Sequence, residues 1–492
     1  MVSDLRHALA SKHILAILFL SAFIRLIFYS IILPKSPSSF GPDEGNYAAL
    51  AKYVSEGLPV EEFPNFGPGL YNSAKSVILP SAGLIKLGIE ELSAIRLIST
   101  LYGIASSLML AMCFFSYQKI RHKNSQECNS SADFRFVSLL ALFSFLPSNF
   151  IWSTIGLRES GSQFWLIASF YMLLKLFNAV GGDKLRFALL AVVVLTFAYG
   201  TRPQTALIFS VVALALSAAL LVKLKKIALF VVIAAGTILG QAFTTTPVVA
   251  SKETLGAFRV VAPSLTQNST AKPSDAPQNS TAKPTEVSVS SEKVNLSDKC
   301  QRPNQTILFD GQLFQCKSKK TYEVVKRNPV VTIQQQILTT QILEYKRAVN
   351  ALDAQSALPL VKCQNFSQDV VTLIKCNAAE LPYRFFAFLF RPLLFFDKGS
   401  TFLELAAIEN LGWLTLISLF FFVLLRPKKN LIERVLSSSL ALYVFLFASG
   451  AALYEGNLGT AFRHKSSILW PIIFTLMIAS QAFPQRSQRT NP

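Results

Sequence analysis

The sequence predicts an all-α polytopic membrane protein of about ten transmembrane helices, with interfacial helices in the first outside loop and a small extracytoplasmic lobe between spans seven and eight. Three observations carry this. Of 492 residues, 51% are apolar, and Phe alone accounts for 40. Ten runs reach or approach the roughly twenty apolar residues that a bilayer crossing needs. Lysines and arginines collect in alternate turns between those runs, the pattern of cytoplasmic loops. The net charge of +19 is therefore largely topological and does not call for a nucleic-acid partner.

The N-terminal MVSDLRHALASKH is short and basic. The run from Ile14 to Leu33 is too long for a signal-peptide core and lacks a small-x-small cleavage site, so it reads as an uncleaved first span. Further spans are expected at about 93–117, 136–156, 161–180, 186–201, 204–222, 227–246, 402–425, 432–454 and 467–484. Lys119, Arg121 and Lys123, then Lys184 and Arg186, then Lys223, Lys225 and Lys226, then Arg426, Lys428 and Lys429 face the cytoplasm by the positive-inside rule. An even count leaves both termini cytoplasmic. The expected location is a bacterial plasma membrane; the alternative is an ER membrane, where Asn268, Asn279, Asn295, Asn304 and Asn365 match the glycosylation acceptor pattern.

Four regions follow. Residues 1–246 form an N-terminal membrane domain whose first outside loop, 34–92, carries apolar stretches too short and interrupted to span, suited to lying in the interface. Residues 247–299 contain QNSTAKP twice, eleven residues apart, in a Ser, Thr and Pro background that cannot build a core, and read as a flexible linker. Residues 300–380 form the lobe, with a helix expected at TIQQQILTTQILEYKRAVNAL. Its Cys300, Cys316, Cys363 and Cys376 suggest two disulfides, sequential pairing being the simplest of three connectivities. Residues 381–492 hold a segment, to about Phe396, expected to lie in the interface, and the C-terminal membrane helices.

Asp43 and Glu44, in FGPDEGNYAALAKYV just beyond the first span, are the leading catalytic candidates: adjacent carboxylates outside a bilayer can supply a general base with a second anchor. The same residues also suit a helix N-terminus. The threading leaves Arg158, Arg202, Arg463, His464 and Lys465 on that same outside face, in tight turns where the positive-inside rule does not put cations. Singly each could be a headgroup contact; together at headgroup height they suit a lipid phosphate or pyrophosphate. Gly456 and Gly459 would allow close backbone approach beside Arg463 and Lys465. Glu159 is either a second functional acid or the ion partner of Arg158. Arg25, midway along the first span, needs a partner, for which Glu404 and Glu409 are available.

An Asp-Glu pair leading into a Tyr-containing helix, placed after span one, resembles the GT-C superfamily of polyprenyl-phosphate-sugar-dependent glycosyltransferases, which includes protein O-mannosyltransferases and the aminoarabinose transferase of lipid A. The likeness is sharpest over Phe40 to Tyr53 and extends by span layout to about Gln163. It implies an inverting transfer of a sugar from a polyprenyl-phosphate donor to a glycan, lipid or protein acceptor of the cell envelope. By it Asp43 acts as base or organises the acceptor with Glu44 beside it, Glu159 is the assisting acid of the second outside loop, and Tyr47 lines the sugar pocket. Some members use a divalent metal and others none; a single acidic pair argues for no essential metal while leaving a divalent ion open. Two readings compete. A polymerase or ligase of lipid-linked glycans would make Arg384 or Arg391 essential. A lipid or glycan transporter or flippase would show internal repeats and polar residues deep in several spans, and the sequence has no convincing repeat.

Overall fold

The computed structural model describes residues 2–35, 42–63, 67–121, 134–224, 227–244, 306–309, 312–316, 322–324, 370–395, 397, 401–427, 430–455 and 458–481. The chain divides into two compact units, one of 1–248 with 337–362 and 375–492, the other of 249–336 with 363–374. The described part of the first unit is all-helical. The second holds a three-stranded antiparallel sheet, β1 (Thr306–Phe309), β2 (Gln312–Cys316) and β3 (Tyr322–Val324), with Phe309 paired to Gln312 and Cys316 to Tyr322. The linker, the expected lobe helix, the Asn acceptor sites and the four cysteines expected to pair lie outside the described residues and side chains.

In chain order the helices are α1 (Val2–Ala10), α2 (Lys12–Ile27), α3 (Pro42–Ser55), α4 (Gly67–Asn72), α5 (Lys75–Lys86), α6 (Glu91–Arg121), α7 (Phe134–Phe145), α8 (Pro147–Trp152), α9 (Arg158–Asn178), α10 (Asp183–Tyr199), α11 (Pro203–Leu224), α12 (Ile227–Thr244), α13 (Val370–Phe390), α14 (Thr401–Leu425), α15 (Leu431–Tyr454) and α16 (Leu458–Ser480). Among the described residues, five stretches are long and apolar enough to cross a membrane: Lys12–Ile32, where α2 runs on as a π-turn, and the apolar bodies of α6, α12, α14 and α15. Phe19 and Phe23 on α2, Phe230 and Val231 on α12 and Phe422 on α14 are exposed. So much large apolar surface turned outward on long helices is expected where the solvent is lipid. The chain is a membrane protein.

The expected third span, 136–156, is instead two helices separated at Leu146. Pro147 supplies the reason: it lacks an N–H and disfavours helical geometry in the residue before it, and Leu146 sits at φ −56°, ψ 122°. The segment expected to lie in the interface, Leu381 to Phe396, begins as the last turns of α13 and then breaks into a turn around Arg391.

The main core runs through α6, α9, α15 and α16, with Trp413 of α14 and Trp470 of α16 fully buried in it. A second, smaller core is built by the first loop. Tyr47, Leu50 and Ala51 of α3 and Val77 and Ile78 of α5 close over Ile95 of α6 and over Ile155 and Leu157 just before α9. That core holds α3 rigidly against the ends of α6 and α9. It thereby fixes where the first-loop acids point.

Candidate functional site

Asp43 and Glu44 occupy the first turn of α3, where carboxylates complement the helix dipole. Consecutive helix residues are rotated by about 100°, so the two acids diverge. Glu44 turns inward, fully buried, and takes Arg96 of α6 as a two-pronged partner, Nε at 2.7 Å and Nη2 at 3.4 Å, while Arg96 also donates to the Leu33 carbonyl at 3.1 Å. Asp43 turns the other way, remains 30% exposed at its side chain, and accepts from Arg463 Nη1 at 2.9 Å. Tyr47, one turn on from Asp43, lies buried on the same face, its phenol pushed up to about 12 chiefly by burial. The expected carboxylate pair is thus one site acid and one structural acid.

Glu159, in the first turn of α9, is the centre of the cluster. Its Oε1 lies 3.3 Å from Arg463 Nε, 3.7 Å from Arg202 Nη1 and 3.8 Å from His464 Nε2. Burial raises its pKa, but Arg463, Arg202 and Arg158 together outweigh burial and the repulsion of Asp43, and the net shift is downward. Arg202, in the turn between α10 and α11, is lowered to about 10, first by burial and then by Arg158, and stays a cation at neutral pH. Arg463 Nε and Arg202 Nη1 are buried, and neither has a hydrogen-bonding acceptor among the described residues. The guanidiniums face Glu159 beyond hydrogen-bond geometry, so the cluster keeps donor capacity for an anion.

His464 is the partner of Arg202, not a further cation. Arg202 Nη2 donates to its Nε2 at 2.8 Å, and a guanidinium can only donate, so Nε2 is the acceptor and the ring proton lies on Nδ1. From there it is given to the buried carboxylate of Glu455, at the end of α15. Burial, then Arg202, Arg463 and Arg158, hold the imidazole well below its usual value. Lys465 points away from the cluster, completely buried, donating to the Arg391 carbonyl and to Asn410 Oδ1, each at 2.7 Å. Arg158 donates to the hydroxyl of Ser73 at 2.8 Å, tying α9 to the α4–α5 turn.

Of the residues singled out from the sequence, the structure therefore brings together Asp43, Glu159, Arg202, Arg463 and, as a support, His464. Glu44 and Lys465 are committed elsewhere. Arg25 does not meet Glu404 or Glu409. It donates to Ser153 Oγ and the Ser144 carbonyl, both at 3.0 Å, and to Ser21 Oγ, and it lies over the ring of Phe150. Glu409 accepts instead from the Ser148 N–H and from Trp413. Arg391 pairs with Asp397, and Arg384 with Glu380. Sequence reasoning missed Arg96 and Glu455, the hydrogen-bond partners of Glu44 and His464. Glu455 carried a usable signal, a carboxylate immediately before the turn that leads to Arg463.

Among the described residues no three His, Cys, Asp or Glu side chains converge as ligands, and the acids present are taken by guanidiniums or by a neutral imidazole. Comparison with protein-family models, with curated proteins and with solved structures finds no match.

Proposed function

We propose that the chain is an integral-membrane glycosyltransferase of the GT-C type, moving a sugar from a polyprenyl-phosphate carrier to a cell-envelope glycan, lipid or protein on the outer face of a plasma membrane, with about ten spans. The observation that carries the reading is the pairing of a half-open carboxylate, Asp43, with a partly buried guanidinium cluster, Arg463 and Arg202 around the buried Glu159. Glycosyl transfer to a hydroxyl needs both halves. The acceptor oxygen forms a bond to the anomeric carbon as its proton passes to Asp43, contributing about 10²–10⁴-fold. The bond from that carbon to the phosphate oxygen breaks, and the oxygen keeps the electron pair as negative charge. Arg463 and Arg202 stabilise that charge in a site where Coulombic attraction is stronger than in water. A single displacement of this kind inverts the anomeric centre.

Glu159 and the Glu455–His464 pair play supporting parts, holding the guanidiniums in register and offsetting their mutual repulsion. The polymerase or ligase reading has less to stand on, because Arg384 and Arg391 are each engaged by an acid of their own element or turn.

The test is transfer of radiolabelled sugar from a panel of polyprenyl-phosphate donors by the protein in purified membranes, with Arg202→Gln beside wild type. The reading expects transfer by wild type and a loss of roughly 10²–10³-fold in the variant, as for removal of one charge-stabilising donor. Transfer that is indifferent to Arg202 would remove the phosphate site from the mechanism.

A further inference from the structure

At the end of the bundle opposite the cluster, a group of buried polar side chains waits on an acceptor. Helix α6 runs from the first-loop core to Arg121, and α15 runs from Leu431 to the turn before Arg463, so Arg121 and Leu431 mark that far end. Tyr117 and Arg121 lie one turn apart on α6, as do Glu433 and Ser437 on α15. Arg121 and Glu433 both stand near enough to the Tyr117 hydroxyl for their charges to be felt there. Tyr117 and Ser437 are each 1% exposed and Glu433 is 7% exposed. Tyr117 Oη and Arg121 Nη1 approach one another outside hydrogen-bonding geometry. These two atoms and Ser437 Oγ are buried, with no hydrogen-bond partner among the described residues. Each such donor forfeits the bond it makes in water, and three together point to a ligand rich in acceptor oxygens.

An apolar cavity begins beside them. Ile120 and Ile432, the neighbours of Arg121 and Glu433, line its near end. The rings of Phe170, Phe209, Tyr443 and Trp470 close its far end, with centroids 5.5 to 6.4 Å apart. From Ile432 to Tyr443 helix α15 rises about 16 Å, close to half the thickness of a bilayer's hydrocarbon core. Trp470 lies about another 10 Å along α16 from Arg463. The cavity is therefore one leaflet deep and stops short of the cluster. A chain that fills it comes from the leaflet on the Arg121 side.

We propose that this end of the bundle binds one diacyl phospholipid of that leaflet, with a zwitterionic head group carrying a primary amine. Its phosphate and ester oxygens accept from Arg121, Tyr117 and Ser437, its ammonium meets Glu433, and one acyl chain lies in the cavity up to the aromatic rings. A head group with negative charge alone would meet Glu433 as a like charge. The site is separate from the proposed transfer and stands whether or not the chain transfers sugar.

The experiment offers the full chain, delipidated in mild detergent, an equimolar mixture of phosphatidylethanolamine, phosphatidylglycerol and phosphatidylcholine with matched acyl chains. Retained lipid is read by native mass spectrometry, and a melting transition confirms that each protein is folded. One phosphatidylethanolamine per chain is expected, about tenfold above phosphatidylglycerol, and above phosphatidylcholine, whose quaternary ammonium has no N–H for Glu433. Arg121→Gln lowers that retention about tenfold, and the near-isosteric Tyr117→Phe lowers it should Arg121→Gln not fold. Glu433→Gln brings phosphatidylglycerol level with phosphatidylethanolamine. Exposed Arg186, at the same end of the bundle, is the control, and Arg186→Gln retains lipid as wild type does. Folded wild type that retains no lipid would overturn the site and leave water as the partner of these donors. Equal retention of the three lipids, or retention unchanged in both Arg121→Gln and Tyr117→Phe, would overturn it as well.

Discussion

Replacing Glu44 by Gln would take from buried Arg96 the carboxylate it holds at 2.7 Å, and breaking a buried pair from one side typically costs about 3–5 kcal/mol. Glu44→Gln should therefore lower the melting temperature in detergent and the yield of folded protein, while turnover per folded molecule is retained; a fall in turnover with unchanged melting would place Glu44 in the chemistry instead. His464 gives a pH-dependent prediction. Its folded value lies well below the usual 6.5, so the unfolded chain takes up a proton in a range where the folded protein does not. The stability it contributes is whole above about pH 6.5 and is lost as pH falls beneath that value. The Glu159 contribution, from a depressed carboxyl, is lost only at more acid pH, below the ordinary 4.5. Melting temperature should thus decline between pH 7 and pH 5, and His464→Gln should flatten that decline. At this scale the sequence was a partial guide. The DEG motif pointed to Asp43, but which of two neighbouring acids meets the cluster depends on helix phase relative to α6 and α16, and no local pattern encodes that.

The turn before α9 is the hinge on which the first loop and the cluster agree. Gly156 there adopts φ +64°, and a Cβ at that position would stand 3.1 Å from Glu44 Oε1 and 2.8 Å from Ile95. Left-handed geometry costs an L-residue about 1–2 kcal/mol before any crowding. Gly156→Ala should destabilise by at least about that much, read as a lowered melting temperature, and should be partly relieved by shortening Ile95 to Val; an unchanged melting temperature would mean that the turn adapts freely. Element existence was largely readable, because long apolar runs leave few alternatives to helix. The run over 136–156 is divided between two helices for a specific reason: total hydrophobicity across a window is blind to one proline, and Pro147 breaks the run. The segment from Leu381, expected to lie in the interface, begins as the end of α13, which buries Ala387, Phe388 and Leu389, and Arg391 just beyond it pairs with Asp397.

Across the whole molecule, the cluster joins residues that the chain keeps far apart, Asp43 and Arg463 being 420 positions apart in sequence. What made it legible was chain order: the expected alternation of spans groups those cations with the first-loop acids, and Asp43, Glu159, Arg202 and Arg463 do come together. What it could not supply was the pairing within the cluster, the neutral state of His464 or the burial of Lys465, which depend on how α15 and α16 pack. The threading itself is testable. Single cysteines near each terminus should both react with a membrane-impermeant reagent from the cytoplasmic side alone; reaction of the two from opposite sides would require an odd number of spans. The central claim is that Asp43 is the base of a lipid-phosphate-dependent transfer. Single-turnover transfer of radiolabelled sugar from a bound polyprenyl-phosphate donor, comparing wild type with Asp43→Asn and with exposed Glu56→Gln, tests it most directly. The account predicts loss of about 10²–10⁴-fold in Asp43→Asn with donor still bound, and no loss in Glu56→Gln. Equal turnover in all three proteins would contradict it.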